Sequence, residues 1–99
     1  MFRQGDVLLL RVEATPGGER LEPENGRLVL ARGEVTGHQH SVAARDAALV
    51  EAAEGVYLQI MAPTPLEHQE HMAIWLQPGT YWVVRQREYT PGAILQVRD

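Results

Sequence analysis

The chain has no cysteine, no lysine, a single phenylalanine and a single serine, Ser41. Without cysteine there are no disulfides, no thiol nucleophile, no iron–sulfur cluster and no cysteine-based zinc site. Without lysine there is no Schiff-base chemistry and no phosphate-loop lysine. All nine basic residues are arginine, a cation that keeps its charge at any working pH. Ser41 is not set in a Gly-x-Ser-x-Gly elbow, so the common serine-hydrolase signature is missing. No apolar run approaches the roughly 20 residues that a membrane-spanning helix needs. The opening Met1-Phe2-Arg3-Gln4-Gly5-Asp6 carries no apolar stretch of the signal-peptide kind, so the expected address is cytoplasmic. Thirteen acidic residues against nine basic ones leave a net charge of −4, which argues against a protein that coats nucleic acid.

What is present suits one domain over residues 1–99. A hydrophobic share of 44% belongs to a folded chain rather than a disordered tail. A chain this short buries only about two-thirds of its unfolded surface, so its core is small and gains from a bound metal or from oligomerisation. Short β-prone runs alternate with turn clusters. Val7-Leu8-Leu9-Leu10-Arg11-Val12 reads as a strand ended by Thr15-Pro16-Gly17-Gly18. Pro23-Glu24-Asn25-Gly26 leads into a strand over Arg27–Ala31, and Glu34-Val35-Thr36 runs extended into Gly37–Val42. The Ala-rich piece Ala43–Ala53 lacks an apolar stripe and reads as a loop entering a short strand at Ala48–Glu51. Val56–Met61 is a strand, Leu66–Gln77 a hairpin, Tyr81–Arg87 the most β-prone run, and Ala93–Val97 a closing strand after Thr90-Pro91-Gly92. Turns at roughly 8–12-residue intervals predict an all-β fold, a small antiparallel β-barrel or sandwich, with less than about 15% helix.

All four histidines fall in two tight pairs, His38/His40 and His68/His71. In an extended chain residues two apart share a face, so His38 and His40 can converge. With Gln69-Glu70 as a two-residue hairpin loop, His68 and His71 become a cross-strand pair; one helical turn would also bring them together. Imidazole is the commonest neutral metal ligand, and two facing pairs supply three or four nitrogens to a zinc-like ion. Nickel and copper fit the same nitrogens. Glu67 and Glu70 flank the second pair and could orient an imidazole, ligate, or act as a base. Arg85, Arg87 and Tyr89 alternate along one strand and could grip a small anionic ligand, although a solvated face is the plainer reading. Trp75, Tyr81 and Trp82 read as packing aromatics.

Several strings carry a resemblance. Gly33-Glu34-Val35-Thr36-Gly37-His38-Gln39-His40, Glu67-His68-Gln69-Glu70-His71, Pro78-Gly79-Thr80-Tyr81 and Arg85-Gln86-Arg87-Glu88-Tyr89-Thr90-Pro91 resemble a family of short uncharacterised bacterial proteins of about this length. The opening Gln4-Gly5-Asp6-Val7 is similar too, so the likeness spans nearly the whole chain. The family pattern is Gly-Glu-Ala-Thr-Gly-His-x-His and His-Glu-Glu-His; here Val35 and Gln69 stand in place of the Ala and the first Glu, which leaves Glu70 as the carboxylate between the second pair. The resemblance groups the motifs and implies no reaction. The first forty residues are faintly similar to the co-chaperonin β-barrel, which bears on fold alone.

The expectation is a metal-binding protein with His38, His40, His68 and His71 around one divalent ion. Four imidazoles would make a closed, structural site; three would leave a position for water and permit hydrolytic or lyase chemistry with Glu70 as catalytic base. Two alternatives stand beside it. One is a metal-free histidine-dependent phosphodiester or ester hydrolase that uses Arg85 and Arg87 against the oxyanion. The other is a non-catalytic binding or scaffold module that oligomerises through an edge strand.

Overall fold

The computed structural model describes residues 1–14, 16–33 and 37–86. Among them there is no α-helix, and a 3-10 turn spans Ala44–Asp46. The strands are β1 (Phe2–Gln4), β2 (Val7–Val12), β3 (Glu19–Arg20), β4 (Arg27–Arg32), β5 (Gln39–Ala43), β6 (Ala47–Ala52), β7 (Gly55–Ile60), β8 (Thr64–Leu66), β9 (Ile74–Leu76) and β10 (Gly79–Arg85). Six of them form an antiparallel sheet in the order β1-β2-β10-β7-β6-β3, and β4-β5 and β8-β9 make two small sheets. The fold is all-β and sandwich-like. No helix among the described residues is long and apolar enough to cross a membrane.

Alternation decides which face is buried. Val7 and Leu9 on β2, Ala47 and Leu49 on β6, Leu58 and Ile60 on β7, and Tyr81 on β10 are two apart on their strands and point into one core. Leu28 and Ala31 of β4, Val42 of β5, Leu66 of β8 and Leu76 of β9 join the same cluster, so the small sheets close over that face of the large one. Tyr81 is fully buried, and its hydroxyl donates to the Gln77 carbonyl at 2.8 Å. Trp82 faces the other way and stacks on Tyr57, whereas Trp75 is 62% exposed and contributes no core.

The short strand expected at Ala48–Glu51 is present as β6, one residue longer at each end and entered through the Ala44–Asp46 turn. The structure corrects the sequence reading in two places. A short strand, β1, precedes the expected first one and pairs with it as a hairpin turned at Gly5-Asp6. Gln69-Glu70 is not a two-residue hairpin loop: Leu66 pairs with Ile74, so residues 67–73 form one longer loop that carries both His68 and His71. The expected closing strand Ala93–Val97, its preceding turn, Arg87 and Tyr89 lie outside the described residues.

Candidate metal centre

Three pieces of chain meet at one end of the sandwich. The first is β5, whose core face runs through Val42 and His40 to His38 by the two-residue period, so His40 continues the buried face to the rim. The second is the 67–73 loop. It is tied to β5 by an antiparallel bridge in which Ser41 N donates to Glu67 O at 3.0 Å and Glu67 N to Ser41 O at 2.9 Å. The next residues outward are then His40 and His68, a non-hydrogen-bonded pair whose rings come close. Their centroids lie 4.2 Å apart. Arg27 of β4 reinforces this tie, reaching Ser41 Oγ at 3.0 Å and Glu67 Oε1 at 2.9 Å. The third piece is the Gly5-Asp6 turn, against which Arg85 at the end of β10 is paired.

All four histidines therefore line one cavity of about 210 Å³, together with Asp6, Arg32, Gly33, Glu70 and Arg85. Ring centroids are 5.7 Å apart for His38 and His68, 4.6 Å for His68 and His71, and 6.0 Å for His40 and His71. Glu70 Oε1 stands 3.5 Å from His38 Nδ1. In their present rotamers no three His, Asp or Glu side chains among the described residues already form a metal cage.

Hydrogen bonding makes the imidazoles unequal. Gln4 is buried, and its Nε2 donates to the Leu66 carbonyl at 2.8 Å and the Met72 carbonyl at 2.9 Å. That orientation leaves Oε1 as the atom 2.8 Å from His40 Nδ1, so the ring must donate there and carries its proton on Nδ1. His40 Nε2 is left with a bare lone pair. Burial, then the neighbouring charge of His68, pushes the His40 pKa down to about 4 despite the opposing pull of Asp6, which keeps the ring neutral at pH 7. His68 is different: its Nδ1 accepts the Glu70 backbone N–H at 3.0 Å, which puts the proton of the neutral ring on Nε2. Burial and then the charges of His71 and His38 lower its pKa as well.

Asp6 and Gly5 complete the site. Burial would raise the Asp6 carboxyl, but the Arg85 hydrogen bonds and charge outweigh it and hold the group below its ordinary value. Arg85 Nε and Nη2 both reach Asp6 Oδ2, at 2.9 and 2.8 Å. Asp6 Oδ1 stands 3.7 Å from His40 Nε2. Gly5 has φ +58°, and a Cβ placed there would lie 2.7 Å from His71 Nε2 and 3.2 Å from His40 Cε1. The sequence reading named the four histidines, Glu70 and Arg85 and passed over Gln4, Gly5 and Asp6. Gly-Asp between two short β-prone runs was the available signal for a hairpin turn; nothing local could say that the turn faces the histidines.

A family model described as a domain of unknown function (DUF8820) matches residues 3–86. The chain belongs to this family. The DUF8820 match spans all four histidines, Gln4, Gly5, Asp6, Glu70 and Arg85, and stops short of Arg87 and Tyr89. No curated protein and no solved structure gave a significant match.

Proposed function

We propose that this chain binds one divalent metal ion, zinc by first choice, in the histidine cavity. His40 is the fixed ligand, and the other nitrogen ligands are drawn from among His38, His68 and His71. The observation that carries this is the bare Nε2 of His40, a neutral imidazole whose other nitrogen is held by Gln4. An imidazole whose far nitrogen is pinned by an acceptor is the usual companion of a metal–histidine bond. The partners on the 67–73 loop are more exposed than His40: His68 is half-buried and His71 exposed.

A bound ion of this type polarises a water and so supplies hydrolytic or lyase chemistry when a coordination position stays open. Glu70 is the residue for moving the proton, since its carboxylate borders the cavity beside His38. The metal-free hydrolase reading has less support, because Nε and Nη2 of Arg85 are both turned to Asp6. The test is elemental analysis of untagged protein, followed by calorimetric titration of chelator-treated protein with Zn²⁺. One ion per chain is expected, with binding weakened at least 100-fold in His40→Ala. Folded wild type that takes up no Zn²⁺ at micromolar concentration would sink the proposal.

A further inference from the structure

Resting on that metal reading, we infer that Asp6 is a ligand too: the ion sits between Asp6 Oδ1, His40 Nε2 and His71, and His68 stands outside its coordination shell. Asp6 Oδ1 and His40 Nε2 face each other at 3.7 Å, while the far atom of each group is already held, Asp6 Oδ2 by Arg85 and His40 Nδ1 by Gln4 Oε1. Two donor atoms aimed at each other across a gap too long for a hydrogen bond leave a position for a cation between them. Donors about 2.0–2.2 Å from a tetrahedral zinc lie roughly 3.4 Å from one another, so the gap is within a few tenths of an ångström of a ligating pair.

The surroundings are built to aim both donors. Arg85 takes Asp6 Oδ2 with two nitrogens and leaves Oδ1 towards His40, while Gln4 does the same for the His40 ring from behind. Outer partners that orient ligands in this way are the rule at metal sites. His71 Nε2 overhangs the Gly5-Asp6 turn, close enough that only glycine leaves it room. His68 is held back. Its Nδ1 is engaged by the Glu70 N–H, so ligation through either nitrogen would break that bond or require the proton to move. The donor set is mixed nitrogen and oxygen, which suits zinc, cobalt or nickel and disfavours copper(I).

The experiment is Zn²⁺ affinity by chelator competition and the visible spectrum of the Co²⁺-loaded protein, for wild type, Asp6→Asn and His68→Ala. Asp6→Asn should weaken Zn²⁺ at least 100-fold and shift the Co²⁺ bands, whereas His68→Ala should cost less than about tenfold. Unchanged affinity and spectrum in Asp6→Asn would overturn the assignment while leaving the metal reading intact. Absence of any Zn²⁺ or Co²⁺ binding by wild type would instead overturn the metal reading itself. X-ray absorption of the zinc-loaded wild type needs no variant and covers the case in which Asp6→Asn fails to fold. Two imidazoles with oxygen donors support the assignment, and three or four imidazoles refute it.

Discussion

Gly5 shows how one residue serves backbone and site at once. Its φ of +58° suits the first position of a two-residue hairpin turn, where glycine meets no steric penalty. Its missing side chain also leaves the space that His71 Nε2 occupies. The two roles have different costs. Alanine at φ +58° costs about 1–2 kcal/mol in the left-handed region. The contact with His71, by contrast, is relieved by swinging away an exposed side chain, which the fold tolerates and the site does not. Gly5→Ala should therefore remain folded, with the urea midpoint lowered by an amount matching about 1–2 kcal/mol, and lose at least tenfold in Zn²⁺ affinity. Normal affinity in this variant would show that His71 does not need its present place. Asp6, the next residue, could be read as a turn residue from its neighbours; only the register of β10 reveals that Arg85 is there to hold it.

At the scale of elements, the 67–73 loop matters most. Its two histidines are three apart, and the sequence suggested that a tight turn presents them as a pair. The structure presents them differently, through a longer loop anchored by the Ser41–Glu67 bridge and the Arg27–Glu67 ion pair. Arg27 is about one-third exposed and its partner Glu67 about half, so the ion pair itself adds little to stability, under about 1 kcal/mol. Its larger effect is positional, because it holds the strand-like start of the loop against β5 and thereby sets His68 beside His40. Arg27→Met should leave the melting temperature within a few degrees of wild type while weakening Zn²⁺ binding severalfold, through a looser loop. A fully retained affinity would place the anchoring in the backbone bridge alone. Strand identities were largely readable because period-two alternation and turn residues are local signals. β1 and β3 escaped because a strand of two or three residues is too short to show a period.

At the scale of the molecule, the site sits where the core ends. His40 continues the buried face of β5 past Val42, and its buried ring packs against His68 and hydrogen-bonds to Gln4. Burying a neutral histidine couples folding to pH. In the unfolded chain His40 takes up its proton near pH 6.5, and in the folded chain only near pH 4. Between these values the unfolded state binds more protons, so stability is whole above about pH 6.5 and declines as pH falls towards 4. Metal-free protein should thus be about 2 kcal/mol less stable at pH 5 than at pH 7.5, the loss expected over 1.5 pH units. Urea titrations at the two pH values measure this, and His40→Gln should flatten the difference. The depressed Asp6 carboxyl acts in the same direction at lower pH still. By itself the sequence determined the all-β class, most strand positions, the exclusion of thiol and lysine chemistry, and the pairing of the histidines, because all of these follow from residue type and short-range period. Only the tertiary structure decided that both pairs share one cavity, that Gln4 sets the His40 tautomer, and that Asp6 and Arg85 join them. Those contacts link residues far apart in the chain, among them Gln4 with Leu66 and Asp6 with Arg85. Which strands pair, and in what register, is settled by burying the whole core and not by any local stretch of sequence.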